Sequence, residues 1–395
     1  MARPFEIASY SQHSFSAEIV DLFLEDCQQD SATLISSSLV SKKWALSTRR
    51  YLFSNITISI GRGIGRFGDL FHSPHATITP FVKSLSLIAG GAQCSTDGEQ
   101  RFLIQLLSKL GIVPFHTFSL EFEEQDGYVL RKDPLSAHAR GLMSAYHTVV
   151  NLRLHCEVST ITDLVELLCS LPLLEVADLS VQIHKSYDDP QHRPPSTLRK
   201  VILWKRLQPI LDWISDITPN HSISDITLNS EPDFQDSERI SQFVASQGDK
   251  LTHLTLKSSY SRWEDSEPLS INISSNGGLS RLELYDLSPD DLEGVLNSVS
   301  TSSPVEIAMT FDDSFTGYSF RDLIDKLDSI FSEPRYNQLK SLAVSASGVD
   351  LDPERRFPRC WSRGILTGFT ARPNFEIEET SGTDSDFEES GGIFT

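Results

Sequence analysis

Cysteine is scarce in this chain. Five occur in 395 residues, at Cys27, Cys94, Cys156, Cys169 and Cys360. None forms a CxxC pair or a metal-ligand spacing, which argues against a disulfide scaffold and a zinc module and fits reduced, mostly buried thiols. Positive charge is also short. Thirty-four Lys and Arg stand against 54 Asp and Glu, a net charge of −20. A surface of that sign repels phosphate, so nucleic acid is not expected as a general partner. No apolar run reaches the ~18 residues needed to span a bilayer, and no N-terminal stretch has the form of a signal peptide. The expectation is a soluble protein of the cytoplasm, the nucleus or both, without a membrane partner.

Catalytic signals are missing too. The serine-rich segments hold no G-x-S-x-G elbow, and nothing sets a nucleophile beside a base. The segment GRGIGRFGD (Gly61 to Asp69) follows a strand-like run, but its glycines are spaced G-x-G-x-G-x-x-G. That is not the dinucleotide fingerprint, and it reads as a connection into a helix at Phe67 to Phe71. His72 and His75 flank Pro74 with no carboxylate at ligand spacing, so they read as loop or cap residues and not as a metal site. Asp290 and Asp291 sit where a helix begins and complement its dipole. The chain is therefore not expected to be an enzyme, and it implies no cofactor and no metal.

What the sequence does contain is repetition. Thirty-nine per cent of the residues are hydrophobic, enough for a folded core. NITISI (Asn55 to Ile60) alternates as a strand does. Short apolar runs of the form L-x-x-L-x-L then recur, beginning at Val82, Phe115, Val149, Leu173, Leu198, Ser222, Leu251, Leu279, Val305 and Leu339. Helical stretches lie between them, such as Glu99 to Gly111, Ile161 to Pro172 and Ser288 to Ser300, with Gly111 and Pro172 at the stops. A strand-then-helix unit every 24 to 34 residues predicts an irregular leucine-rich-repeat-like solenoid of parallel strands and helices, of α/β class, over residues 55–370. Most units lack the Asn or Cys of the usual inner ladder, and an ordinary α/β domain with a parallel sheet is the alternative. Lys185 to Ser196 and Ser259 to Ser270 read as surface loops. Residues 1–13 form an arm without pattern. Residues 371–395 are acidic and Ser/Gly-rich, the composition of a disordered tail.

Residues 14–54 read as three short helices. Phe15, Ile19, Leu22 and Phe23 fall on one helical face, with Ser16 as N-cap. Asp30 or Ser31 caps a second helix through Leu34 and Ile35. Val40 and Trp44 stand one turn apart on a third, between the basic pairs Lys42-Lys43 and Arg49-Arg50. Such a bundle is marginal alone and gains stability from a partner.

The same residues resemble the F-box. Phe15-Ser16-Ala17-Glu18-Ile19 matches its L-P-x-E-I start, with Phe for Leu and Ser for Pro. Asp30 matches the Asp before helix two. Leu39-Val40-Ser41-Lys42-Lys43-Trp44 matches the V-S/C-[KR]-x-W segment, and Leu52-Phe53 the close. The match covers about forty residues, near a tenth of the chain, and it resembles the F-box of fungal F-box proteins with irregular leucine-rich repeats, in which such a module precedes a repeat array. The resemblance implies the target-recognition subunit of an SCF-type cullin ubiquitin ligase. Phe15, Ile19, Leu22, Phe23, Leu34, Leu39, Val40, Lys43 and Trp44 would bind the small acidic adaptor subunit, which bridges to the cullin, and the repeat array would hold a protein target for ubiquitin-dependent degradation. The alternative is a repeat-based interaction scaffold whose F-box is degenerate and binds no adaptor.

Overall fold

A computed structural model of the 395-residue chain describes residues 15–60, 73, 78–89, 97–111, 113–122, 135–185, 192–204, 208–217, 223–230, 237–258, 271–299, 306–311, 318–347 and 352–372. The N-terminal arm, the Gly61 to Asp69 segment with the helix expected at Phe67 to Phe71, His72, His75, Ser259 to Ser270, residues 186–191 of the Lys185 to Ser196 loop and the chain beyond Arg372 lie outside them.

Three helices open the described chain: α1 (Ala17–Asp26), α2 (Ser31–Ser38) and α3 (Lys42–Leu52). Twelve strands follow: β1 (Asn55–Ser59), β2 (Ser84–Ala89), β3 (Thr117–Phe122), β4 (Asn151–Thr160), β5 (Val176–Lys185), β6 (Lys200–Trp204), β7 (Asp225–Ser230), β8 (His253–Ser258), β9 (Arg281–Tyr285), β10 (Glu306–Phe311), β11 (Ser341–Ser347) and β12 (Leu366–Arg372). Interspersed with them are α4 (Asp97–Leu110), α5 (Ala137–Met143), α6 (Ile161–Cys169), α7 (Gln208–Ile217), α8 (Ser237–Gln247), α9 (Pro289–Asn297), α10 (Tyr318–Ile330), α11 (Pro353–Arg356) and α12 (Pro358–Ser362).

The strands form one sheet in sequence order, β1 to β12, and every pairing is parallel. Each strand therefore meets only its neighbours in the chain, which is the contact pattern of a solenoid. Strand starts are spaced 24 residues apart between Val176 and Lys200 and 35 apart between Glu306 and Ser341, so the period drifts.

The register explains the L-x-L signature. One column runs Leu85, Phe118, Leu152, Ala177, Val201, Ile226, Leu254, Leu282, Ile307 and Leu342. A second runs two residues further on, from Leu87 through Leu120, Leu154, Leu179, Leu203, Leu228, Leu256 and Leu284 to Met309 and Val344. Successive strand side chains point to opposite faces, so both columns share the buried face and the residues between them line the other. All these column residues are buried in one continuous core with the apolar faces of the helices.

Two capping interactions link neighbouring units. The fully buried Asn276 donates from Nδ2 to the carbonyls of Val244 (2.8 Å) and Gly248 (3.1 Å), closing the end of α8. Asp328 of α10 accepts from the backbone N–H groups of Cys360 (3.0 Å) and Arg359 (3.3 Å), holding the start of α12.

The last strand differs from the sequence expectation. Ala371 and Arg372, assigned above to the tail, belong to β12 and lie opposite Ala346 and Ser347. The register shifts between Leu342 and Ala343, whose partners are Leu366 and Gly368. That irregularity puts the apolar residues of β12 at 366 and 369, three apart, which hides the period of two.

Candidate partner-binding site

The helical module is built by three side-chain caps. The Ser16 hydroxyl accepts from the Ile19 N–H (3.4 Å) at the start of α1. Ser16 thus does by hydrogen bonding what a proline would do by fixing φ. The carboxyl of Glu18 in the first turn is held below its ordinary value by its own backbone N–H and the Ser16 hydroxyl. At α2, Asp30 accepts from the N–H groups of Ala32 (3.0 Å) and Thr33 (3.1 Å), and the Thr33 hydroxyl donates to its second oxygen at 2.5 Å. These bonds, that of the Thr33 hydroxyl first, hold the Asp30 carboxyl below the usual range. At α3, Ser41 accepts from the Trp44 N–H at 3.3 Å.

The module has its own small core, separate from that of the array. Val20, Leu24 and Leu34 are buried, with Cys27, Trp44, Tyr51 and Leu52 packed against them. The Tyr51 hydroxyl donates to the Asp21 carbonyl (3.3 Å), which ties α3 to α1. Phe53 packs into the array instead and forms the join.

Helix α1 carries two apolar faces. At 100° per residue, Val20 and Leu24 point one way, Ile19 and Phe23 point about a quarter-turn aside, and Leu22 points nearly opposite the first pair. The first pair is buried, whereas the other three and Phe15 are exposed. Leu22 is 64% exposed, Val40 66% and Leu39 83%. Among the described residues, eight of the ten exposed large apolar side chains fall between Phe15 and Leu46, and the other two are Leu173 and Trp361. The exposed apolar surface of the described residues is thus concentrated on this module.

Contacts join part of this set. Lys43 Nζ donates to the Phe15 carbonyl at 3.1 Å, so the starts of α1 and α3 lie side by side. The rings of Phe23 and Trp44 meet with centroids 5.7 Å apart. Leu39 and Val40 immediately precede the Ser41 cap. Phe15, Ile19, Phe23, Trp44, Lys43, Leu39 and Val40 are thereby gathered on neighbouring parts of one module.

Three placements depart from the sequence reading. Leu34 is 1% exposed and part of the module core, so it supports the site and does not face a partner. Val40 is not a turn below Trp44 on one helix, because α3 begins at Lys42 after the Ser41 cap. Phe15 lies before the Ser16 cap and outside α1. Two residues were missed: Ile35 and Leu46 are exposed at 55% and 59%. Their only sequence signal is an apolar residue beside another apolar residue on a short helix, which does not say which of the two faces in.

The sheet face opposite the helices is polar and internally paired. Arg153 reaches Asp178 (Nε to Oδ2, 2.8 Å) and Glu121 (3.5 Å), Trp204 Nε1 donates to Asp178 Oδ1 at 2.7 Å, and Lys200 meets Asp225 at 2.9 Å. Burial pushes the Asp178 carboxyl up. Its contacts with His155 and Trp204 and the charge of Arg153 outweigh that, and leave it below the usual range. Among the described residues no group of three or more His, Cys, Asp or Glu could hold a metal ion, and no helix is long and apolar enough to cross a membrane.

No family model matches the chain, and no curated protein matches it. Among solved structures it is similar to a chain of the yeast complex of Rad7 and Elc1, at 14% identity and a TM-score of 0.43, over 89% of this chain and 92% of that one. It is also similar to a protein from Bacteroides fragilis, at 10% identity and a TM-score of 0.35, over 87% and 82% of the two chains.

Proposed function

We propose that this α/β repeat protein is the target-recognition subunit of an SCF-type ubiquitin ligase, with the N-terminal helices docked on the adaptor subunit and the repeat array holding the protein target. The observation that carries the reading is the exposed apolar face of a module that also keeps a separate core. The core needs Val20, Leu24 and Leu34. It does not need Ile19, Leu22, Leu39 or Val40, which stay in water at a cost unless something covers them.

The magnitudes are adequate. Fully burying a Leu, Ile or Phe contributes about 1.5–3 kcal/mol. The six side chains of Phe15, Ile19, Leu22, Phe23, Leu39 and Val40 are 46% to 83% exposed, so covering them contributes roughly half to two-thirds of that each, or about 5–12 kcal/mol in all. Association costs about 4–15 kcal/mol before any gain appears. Affinity therefore depends on engaging nearly the whole face, with Trp44 and Phe23 as rigid anchors. Lys42 and Lys43 at the rim would speed encounter with an acidic adaptor and make it salt-dependent. Ligation chemistry would belong to other subunits.

The test is titration of purified adaptor subunit into the full-length chain, followed calorimetrically. Saturable binding in the micromolar range or tighter, abolished by Leu39→Asp, supports the reading. Absence of binding at tens of micromolar replaces it with a repeat scaffold that recruits no ligase.

A further inference from the structure

The far end of the array carries the reverse of the chain's overall charge. Between Asp352 and Arg363 four arginines (Arg355, Arg356, Arg359 and Arg363) stand against two carboxylates, Asp352 and Glu354. The chain as a whole is at −20. Two of the four are committed to structure. Arg363 donates to the carbonyls of Phe331 and Tyr336, and Arg359 reaches the Ser329 hydroxyl at 3.4 Å. Arg355 and Arg356 have no carboxylate partner among the described residues. Five residues after Arg356, Trp361 is 47% exposed on the short helix α12, whose Cys360 is fully buried. An exposed ring within a few residues of two guanidinium groups that have no carboxylate partner among the described residues fits an acidic segment that also carries aromatic residues.

The chain supplies such a segment. Residues 373–395 hold seven Asp and Glu, no Lys or Arg, and three Phe. Their point of departure is fixed by the sheet. Arg372 ends β12 opposite Ser347, and Ser347 is only five residues before Asp352, the cap of α11. Five residues span at most about 18 Å, so the segment begins near the start of the arginine-bearing helices. The length of 23 residues is enough to cover the patch, since even a random coil of that length spans about 26 Å root-mean-square. Tethering at this length gives an effective concentration in the millimolar range, so a weak contact suffices for high occupancy.

We propose that residues 373–395 dock in cis on the surface formed by Arg355, Arg356 and Trp361, closing the C-terminal end of the solenoid. The physical need is also visible. Among the described residues β12 has no strand on its outer side, and an open strand edge is a template for pairing with other chains. Terminal units of repeat arrays require a polar cover. An acidic segment held across the last unit would supply one and would repel other copies of this acidic chain.

The test compares hydrogen exchange in the full-length chain with that in two full-length variants. One replaces all seven Asp and Glu of residues 373–395 with Asn or Gln, leaving the folded part untouched. The other is Arg355→Glu with Arg356→Glu. The expected result is that peptides covering 353–363 and 373–395 exchange about tenfold more slowly in the parent than in either variant at low salt. The difference should vanish in 0.5 M salt, be independent of protein concentration, and return when Lys in the segment is combined with Glu in the patch. Equal exchange in the parent and the neutralised variant overturns the proposal. So does protection that grows with protein concentration, because the segment would then sit on another molecule.

Discussion

The ring of Trp44 lies 5.7 Å from that of Phe23, with the two planes inclined at 57°. Trp44 is half-buried against Val20, Leu24 and Leu34, whereas Phe23 is 46% exposed on the outward face of α1. The pair joins the inside of the helical module to its outside. Trp44 is therefore both the plug of a small core and the backing of the exposed apolar face.

That double role separates two kinds of substitution. Trp44→Ala removes core packing and is expected to cost about 2–3 kcal/mol, less than the loss of a fully buried Trp. In a bundle this small it should loosen the module and lose the adaptor together. Leu39→Asp and Val40→Asp change side chains already in water and should alter stability by less than about 0.5 kcal/mol. They should still abolish adaptor binding. Calorimetric titration beside circular dichroism checks both, and adaptor binding that survives Leu39→Asp would remove this turn from the interface.

The array was legible in the sequence because a parallel solenoid repeats one demand. Each strand must place two apolar residues, two apart, into the same core, and the L-x-L runs from Val82 to Leu339 do so. Strand β12 escaped because its register shift breaks that spacing and Gly368 takes an alternating position. The outward face of α1 was legible from its helical period. Its inward face, Val20 and Leu24, was not, because apolar residues stand all round α1, with Ile19 and Phe23 only about a quarter-turn from the inward pair and Leu22 opposite it. Leu34 and Ile35 show the same limit on α2. They are adjacent, one is buried and the other exposed, and the choice is made by packing against α3, which composition does not encode.

Gly278 is required by a close approach. A Cβ there would stand 1.9 Å from the carbonyl oxygen of Asp249, and a backbone atom does not yield as a side chain does. Gly278→Ala is expected to destabilise the array by about 3 kcal/mol. Gly141 meets nothing within 4 Å of a built Cβ. It lies inside α5, so Gly141→Ala should be neutral or stabilising by up to about 1 kcal/mol. Urea unfolding of both variants checks the contrast, and equal midpoints would contradict it.

The buried thiols should report unfolding. Cys360 is fully buried, and burial first, then the neighbouring Asp328 carboxylate, pushes its thiol up to about 12. Burial pushes that of Cys169 up to about 11. At pH 8 the thiolate fraction of Cys360 is on the order of 10⁻⁴, against roughly a quarter for an ordinary thiol. Alkylation of Cys360 by iodoacetamide should be at least a hundredfold slower in the native chain than in urea, as read by peptide mass spectrometry. Comparable rates in the two states would place that thiol at the surface.

Asp178 should make the array acid-sensitive in a defined window. Its folded carboxyl lies below the ordinary aspartate value of 3.8, because its contacts with His155, Trp204 and Arg153 outweigh burial. The unfolded chain then takes up a proton more readily than the folded one near that pH, so stability rises with pH there. The contribution is fully present above about pH 5 and is lost as pH falls through the unfolded value and then the folded one. Asp178→Asn removes the charge. Arg153 is 44% exposed and keeps Glu121 at 3.5 Å, so the cost at pH 7 is expected to be about 1–2 kcal/mol and not that of a fully buried pair. Thermal melting of parent and variant at pH 7, 5 and 3 gives the check. The gap in melting temperature should hold from pH 7 to pH 5 and narrow at pH 3, where the parent loses what the variant already lacks. A gap of constant size down to pH 3 would show that the ionised carboxylate is not what joins β4, β5 and β6 on this face.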